Sequence, residues 1–358
     1  MRFLFKTRYE HDIRLFKHGG AVFWYGLLLA ALLLAPWLLD SYYVGQLTQV
    51  MIFALAGLGL MVLTGYTGLV SLGHAAFFGI GAYTEAVLLE RGLPFPLPLL
   101  AAAGVAAGAG VLIGRPTLRL AGLYLAIATF AFALIVEEVL ARWESVTRGN
   151  NGLPVPASRL AGLDLSQGRP FYYLTAAVLV LVVLGLLNLL RSPTGRALIA
   201  IRDSEIAAQS MGVRLSRYKT TAFALSAGIT GCAGALFAHK LGFLSPESFT
   251  VLQSLELLVL VVVGGLGSLH GAIYGALFVV ALPQGIAIAR DHLPDAITSQ
   301  PGLEPLLFGL ILILFILFEP YGIYGRWLKV KFYFQLFPVY KRATFKRQKT
   351  YTRSERLR

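Results

Sequence analysis

The stretch at residues 65–83, GYTGLVSLGHAAFFGIGAY, combines polar side chains with five glycines inside an apolar part of the chain. Tyr66, Ser71 and His74 carry hydroxyl and imidazole groups, which at membrane depth must find hydrogen-bond partners or water. Because glycine costs about 1 kcal/mol relative to alanine in a helix, glycines such as Gly73 favour a bent or unwound backbone lining a cavity. The pattern predicts a translocation path that includes these four residues.

Glu256 is a further ionisable residue inside an apolar run, and we predict that it belongs to the same path. Two structural alternatives remain open from the residues alone. His74 is either a pathway residue or a neutral side chain that hydrogen-bonds between helices, and Glu256 either faces the path or pairs with a neighbouring helix. Glu85, Glu137 and Glu138 lie closer to segment ends, where we expect them to reach the outer interface.

The chain lacks the sequence patterns of an ATPase or another enzyme. There is no G-x-x-x-x-G-K-[ST] loop, and no Gly-Lys pair occurs anywhere, so the usual phosphate-binding loop is missing. The one cysteine, Cys232, cannot build a metal cluster by itself. We therefore expect a transport subunit without its own ATPase site, with no metal and no cofactor bound by this chain.

Composition and periodicity indicate a membrane protein. The 358 residues are 57% hydrophobic and 14% charged, with a mean hydropathy of +0.70, whereas soluble domains carry about 25% charged residues. Apolar runs long enough to cross a bilayer as helix recur along the chain. They lie at about residues 22–39, 44–63, 68–89, 97–114, 119–140, 171–190, 218–238, 252–269, 271–289 and 303–319. The sequence predicts an all-α, polytopic transmembrane helical bundle with about ten membrane segments.

The distribution of lysine and arginine predicts the orientation. If the N-terminus is cytoplasmic, 24 of the 31 basic residues fall on the cytoplasmic side, as the positive-inside rule requires. Both termini are then cytoplasmic: a basic segment at 1–21, a membrane domain at 22–320 and a basic tail at 321–358. The net charge of +13 needs no nucleic acid to explain it. The tail either binds anionic membrane lipid or is solvated without a partner.

Two loops interrupt the membrane domain. In the cytoplasmic loop at 191–217, Ser192 suits a helix N-cap, Pro193 the first helical position, and Gly212 a helix stop, which predicts one short helix. That helix is either a solvated surface element or a docking element. The outer loop at 141–170 is rich in glycine, proline and asparagine and is either a connector or a functional outer element.

Several blocks of the chain together resemble one family. The stretch 65–83 is followed in order by LRLAGLYLAIATFAFALIVEEVL (118–140), SPTGRALIAIRDSEIAAQSMGV (192–213), YKTTAFALSAGITGCAGALFAHKLGFLSPESF (218–249) and LELLVLVVVGGLGSLHGAIYGA (255–276). These blocks resemble the permease subunits of branched-chain amino-acid ABC transporters, of the LivM/LivH type, over about residues 45–320. The outer loop departs from the family pattern Thr-Gly-Gly-x-x-Gly, because Arg148 stands at the first of those glycines.

The resemblance implies a subunit of a binding-protein-dependent importer in the bacterial inner membrane. Its partners would be a homologous second permease of the LivH type, two ABC ATPase subunits that bind ATP, and a periplasmic substrate-binding protein at the outer loop. The implied substrates are leucine, isoleucine and valine, and urea, amides or aromatic acids are alternatives within the same family. A different class, an ion-coupled secondary transporter, would use His74 and Glu256 instead.

The resemblance also gives the cytoplasmic loop a role. Its helix would dock into a cleft on an ATPase subunit and couple ATP hydrolysis to transport. Small residues allow the close approach, and charged residues would contact the rim of the cleft. The implied coupling residues are Arg196, Arg202, Asp203, Glu205, Ala207, Ala208 and Gly212.

Overall fold

A computed structural model describes residues 19–116, 120, 122–160, 163–165, 168–290, 303–319 and 321–336. The basic segments 1–18 and 337–358, on which the predictions about both termini and the lipid-binding tail depend, lie outside the described residues. Within the described part the chain is mostly helical, with four two-residue strands and short irregular segments between the helices. The prediction of an all-α helical bundle is therefore confirmed.

The described helices follow one another along the chain. They are α1 Gly19–Leu38, α2 Ser41–Leu60, α3 His74–Glu90, α4 Leu97–Gly114, α5 Leu123–Arg142, α6 Glu144–Thr147, α7 Gly168–Arg191, α8 Pro193–Asp203, α9 Glu205–Ser210, α10 Leu215–Leu241, α11 Val251–Gly264, α12 Leu269–Arg290, α13 Leu303–Phe318 and α14 Gly322–Leu336. The strands form two antiparallel pairs, β1 Leu153–Pro154 with β4 Phe243–Leu244 and β2 Arg159–Leu160 with β3 Leu163–Asp164. Both pairs involve the predicted outer loop.

Seven helices of the described part are long and apolar enough to cross a membrane. They are Ser41–Gly65, Leu97–Gly114, Leu123–Arg142, Gly168–Arg191, Leu215–Leu241, Pro246–Gly264 and Leu269–Ala289. A bent pair, Leu306–Phe318 and Gly322–Phe334, meets at 46° and would count as an eighth span. The other apolar helices, Val22–Leu38 and the 17-residue α3, are shorter. Each of the ten predicted segments overlaps a helix, but the count of ten crossings stays a prediction.

The boundaries of two predicted segments are wrong. The segment placed at 68–89 becomes helical only at His74, because the chain before it is unwound. The segment placed at 252–269 ends at Gly264, and Gly265 and Gly267 then adopt positive φ angles that helix does not allow. The eighth and ninth segments are therefore separate helices joined by a glycine turn.

Helices α2 and α10 form the centre of the bundle. The apolar window of Ser41–Gly65 is 83% buried and that of Leu215–Leu241 is 67% buried, whereas Gly168–Arg191 is only 22% buried. Helix α10 packs directly against α2, α3 and α4. A Cβ atom added to Gly234 would collide with the backbone of Phe78 on α3, so the two backbones touch through a glycine.

Three pairs of glycines four residues apart on the helices form small-xxx-small motifs, and the three pairs behave differently. Gly110 and Gly114 of α4 pack against Phe223 of α10, and Gly271 and Gly275 of α12 pack against the backbone of α11 and of the turn that follows it. Gly104 and Gly108 are exposed, and no atom of the described residues lies within 4 Å of a Cβ built on either. This third motif makes no close helix contact within the described chain.

Candidate translocation and coupling site

The predicted path begins at an irregular segment, residues 61–73, which lies at the end of the central span and is called the break. Helix α2 ends at Leu60, residues 61–65 form a π-helical turn, and residues 68–73 are not helical. Local contacts satisfy the backbone groups that the break releases: the Thr67 hydroxyl donates to the Val62 carbonyl at 2.9 Å, and the Leu69 amide donates to the Leu63 carbonyl at 3.1 Å. The unwound backbone predicted from the glycines is therefore present.

His74 lies at the end of this break, inside a directed chain of hydrogen bonds. Its Nδ1 is 2.9 Å from the Ser71 hydroxyl, and its Nε2 is 2.7 Å from the Ser226 hydroxyl on α10. Ser226 donates its only proton to the Gly59 carbonyl at 2.6 Å, so it must accept from His74 Nε2–H. The Ser71 hydroxyl then donates to Nδ1. All three side chains are fully buried and satisfied when the ring is the neutral Nε2–H tautomer.

This network favours the structural alternative for His74, a hydrogen bond between helices. Both ring nitrogens are engaged, and Ser71 is buried beside them. Gly73 lets the break approach α5, since a Cβ there would collide with the Thr129 carbonyl. The Thr129 hydroxyl in turn accepts from the Leu72 amide at 3.0 Å. A contact of Ser71, Gly73 or His74 with substrate stays a prediction for another state of the cycle.

The two remaining predicted pathway residues lie on different elements. Tyr66 is buried in the break, and its hydroxyl interacts with the backbone of Leu269 at the start of α12. Glu256 is half-buried on α11, and its hydrogen-bond partner is Gln253 of the same helix at 3.0 Å. This contact lies within one helix, so both alternatives for Glu256 stay predictions.

A buried carboxylate–imidazole pair joins α3 to α10. Glu85 Oε1 lies 3.0 Å from His239 Nε2, and both side chains are almost fully buried. The expectation that Glu85 reaches the outer interface is wrong, because its side chain is fully buried. The Phe95 and Phe171 rings pack against the His239 ring. Within the described chain, Glu85 Oε2 and His239 Nδ1 have no hydrogen-bond partner. The pair could have been suspected from the sequence only because each helix carries an ionisable residue near its end.

The cytoplasmic loop contains two helices where one was predicted. Ser192 caps α8 by accepting from the Gly195 amide at 3.3 Å, and Gly212 ends α9 with φ +85°, as predicted. Ser204 is extended between the helices, and its hydroxyl caps α9 by accepting from the Ala207 amide at 3.2 Å. The single helix was wrong because Ser204 followed by Glu205 is a second helix start.

The four charged side chains predicted to couple this loop to an ATPase bind within the chain. Glu205 pairs with Lys219 of α10 at 2.7 Å, and the Lys219 side chain is only 4% exposed. Arg202 reaches the Gly65 carbonyl at 3.2 Å and also binds Asp203. Arg196 donates to the Arg191 carbonyl at 3.0 Å. The contacts predicted for these four charged residues at an ATPase stay predictions, and each side chain already holds the loop to the bundle or to itself.

Two large apolar side chains are exposed on α9 and at its end. Ile206 is 82% exposed and Met211 is 87% exposed, although both lie in a polar loop between spans. Ala207 is also exposed, and Ala208 is buried against the protein. Exposed large apolar side chains on a polar segment mark an interaction surface. Sequence reasoning singled out the charges and alanines and missed these two side chains.

A multi-pass helical bundle whose central span ends in an irregular segment, with a charged helical loop between two spans, is typical of the membrane subunits of transporters. The family model described as "Branched-chain amino acid transport system / permease component" matches residues 42–316. The chain therefore belongs to this family of permease components. It is a transport subunit that works with other subunits of a transporter, rather than an enzyme.

Individual relatives agree with the family. The chain is 38% identical over 324 residues to the high-affinity branched-chain amino acid transport system permease protein LivM of Salmonella typhimurium, covering 83% of this chain and 74% of the relative. LivM of Escherichia coli gives the same identity and coverage. The autoinducer 2 import system permease protein LsrC of an Enterobacter species is 29% identical over 278 residues, 74% of this chain and 77% of the relative. No solved structure matches the chain.

Proposed function

We propose that this chain is the LivM-type permease subunit of an ATP-driven importer of leucine, isoleucine and valine in the bacterial inner membrane. Its partners are a homologous second permease, two ABC ATPases and a periplasmic substrate-binding protein. The substrate class rests on the 38% identity to two proteins that are named as branched-chain amino acid permeases. The proposal also includes about ten crossings with both termini in the cytoplasm.

The observation that carries the proposal is the apolar surface of Ile206 and Met211, presented by a loop that also contacts the broken span. Burying an Ile or Met side chain stabilises an interface by about 1.5–3 kcal/mol. Together the two side chains form a small apolar surface on this chain that would insert into a cleft on an ATPase subunit. The ion pair of Glu205 with buried Lys219 fixes the orientation of this apolar surface relative to α10.

Contacts at opposite ends of the two central helices support the orientation. Arg202 of the basic loop binds the Gly65 end of the broken span, and Lys240 at the far end of α10 donates to the Gly45 carbonyl at 3.1 Å. The loop at 191–217, with its five basic residues, and the β1–β4 pair therefore lie at opposite ends of the bundle. A single cysteine at Gln209 should react with an impermeant maleimide from the cytoplasmic side, and one at Ala157 from the outside.

The function is tested in proteoliposomes that hold the complete transporter and its binding protein. Leucine uptake should require ATP. Ile206→Asp or Met211→Asp should reduce both the uptake and the amount of ATPase subunit that co-purifies with this chain. Gln209→Asp is the matched control, because Gln209 is an exposed residue of the same helix. Full uptake in the Ile206 and Met211 variants would contradict the docking surface, and absence of ATP-dependent uptake of all three amino acids would contradict the substrate class.

One observation favours the alternative of ion coupling. The buried Glu85–His239 pair is an intramembrane acid–base pair of the kind that proton-coupled transporters use. Uptake by the same proteoliposomes in the presence of a protonophore separates the two functions. Uptake that needs ATP and is unaffected by the protonophore supports the ABC importer. Uptake that needs no ATP and is abolished by the protonophore supports a secondary transporter.

A further inference from the structure

The guanidinium group of Arg202 sits in a cradle built from three separate elements. Its Nη1 donates to the carbonyl of Gly65, the last residue of the π-helical turn, at 3.2 Å. A Cβ on Gly68 would lie 3.2 Å from Arg202 Cγ, and a Cβ on Gly267 would lie 3.2 Å from Nη1. Glycine at both positions therefore leaves the space that the arginine side chain occupies, and both have positive φ angles that favour glycine.

Further contacts hold the arginine and the cradle in place. Arg202 Nε and Nη2 both donate to Asp203 Oδ1, at 3.1 and 2.9 Å, which orients the planar group toward Gly65. The Gly267 amide lies 3.2 Å from the Met61 sulfur, so the turn between α11 and α12 also packs on the π-helical turn. Only 37% of the Arg202 side chain is exposed.

We propose that Arg202 is a positioning residue that links the cytoplasmic loop directly to the broken span and to the α11–α12 turn. This inference rests on the proposed function. A displacement of α8 would pull on the Gly65 carbonyl, at the point where the helix has already lost its regular hydrogen bonds. The break would then respond to the loop without requiring α10 to carry the movement.

The geometry explains why arginine is needed at this position. One planar group donates to Gly65 and to Asp203 at the same time, through different nitrogens. A lysine ammonium is a single point donor at the end of a flexible stem, so it cannot hold both acceptors in this fixed geometry. The proposal therefore predicts that preserving the positive charge does not preserve the link.

The test measures leucine uptake and ATP hydrolysis in the same proteoliposomes of the complete transporter. In Arg202→Lys and Arg202→Gln, uptake should fall about tenfold, within the 5–150-fold range of typical coupling, while subunit assembly and basal ATP hydrolysis persist. The number of ATP molecules hydrolysed per leucine imported should rise in both variants. Asp203→Asn, which weakens only the orientation of the guanidinium, should give a smaller rise. Arg217→Gln is the matched control, since Arg217 is an exposed arginine at the cytoplasmic-side start of α10.

A wild-type ratio of ATP to leucine in Arg202→Lys and Arg202→Gln would overturn the link. So would equal, proportional losses of uptake, ATP hydrolysis and assembled complex, because that result describes a residue needed for folding or for docking of the ATPase. Failure of the proposed function is distinguishable, since the wild-type transporter itself would then show no ATP-dependent uptake.

A distance measurement tests the link without relying on transport. Spin labels at Val70 in the break and Gln209 in the loop, in a Cys232→Ser background, report whether the two elements move together. Both positions are exposed. A narrow distance distribution that is kept on ATP binding in wild type and broadens in Arg202→Gln supports the link. Identical distributions in the two proteins would overturn it.

Discussion

Helix α4 carries two glycine motifs, Gly104–Gly108 and Gly110–Gly114, that are nearly identical as patterns and opposite in use. Six residues separate their first glycines, which places them about 120° apart around the helix axis. Gly110 and Gly114 face α10 at backbone distance, and Gly104 and Gly108 face away from the described chain. The comparison teaches that such a motif permits close approach and that the rotation of the helix decides whether anything approaches.

The largest effect is expected where a glycine lets two backbones touch. Gly234→Ala adds a Cβ that collides with the Phe78 carbonyl, and neither backbone can move without shifting a central helix. We expect destabilisation by about 3 kcal/mol or more, the upper end of overpacking costs, and little folded protein in the membrane. The thermal unfolding midpoint and the yield after mild extraction measure it. Normal yield and midpoint would show that α3 and α10 are not in backbone contact.

A somewhat smaller effect is expected at the inward motif of α4 itself. In Gly110→Ala the new Cβ lies 2.6 Å from the Ala227 side chain and 2.7 Å from the Phe223 carbonyl. Because only 33% of the apolar window of α4 is buried, fewer neighbours must move than at Gly234, and we expect a loss of about 2 kcal/mol. The thermal midpoint of the purified chain measures this loss. If the thermal midpoint changed as little as in Gly104→Ala or Gly108→Ala, the assigned difference between the two motifs of α4 would be contradicted.

Ser226→Ala separates polar from packing contributions on the same face of α10. The variant stays small, but it leaves the Gly59 carbonyl and His74 Nε2–H without their partner. An unsatisfied buried polar group costs about 1–3 kcal/mol, so we expect a loss of about 1.5 kcal/mol with unchanged packing. Ser226→Thr adds a methyl group beside a kept hydroxyl and serves as the control. Wild-type stability in Ser226→Ala would mean that the network does not hold the helices.

The smallest effect is expected at the outward motif. Gly104→Ala and Gly108→Ala meet no atom within 4 Å, and alanine favours helix by about 1 kcal/mol at each position. We expect the thermal midpoint of the isolated chain to stay the same or to rise slightly. The matched inward variant is Gly114→Ala, whose Cβ would lie 3.0 Å from the Phe223 side chain. A lowered midpoint in the outward variants would contradict the assigned rotation of α4.

The sequence alone determined the properties that depend on local chemistry. Length and apolarity of the runs gave helices that cross or line a membrane, and glycine density at 65–83 predicted an unwound backbone. Ser192 and Gly212 marked the ends of the cytoplasmic loop correctly, because capping depends on residues within one turn. The block resemblance predicted the family, since ordered motifs over most of the chain are specific.

Only the tertiary structure decided which groups meet. His74 binds Ser226 across 152 residues, Glu85 binds His239 across 154, and Arg202 binds Gly65 across 137. Helical periodicity gives the face of a helix on which a residue lies, but not the neighbour, the tilt or the rotation that brings two faces together. For the same reason, identical glycine patterns on one helix became a packing surface on one side and an open surface on the other.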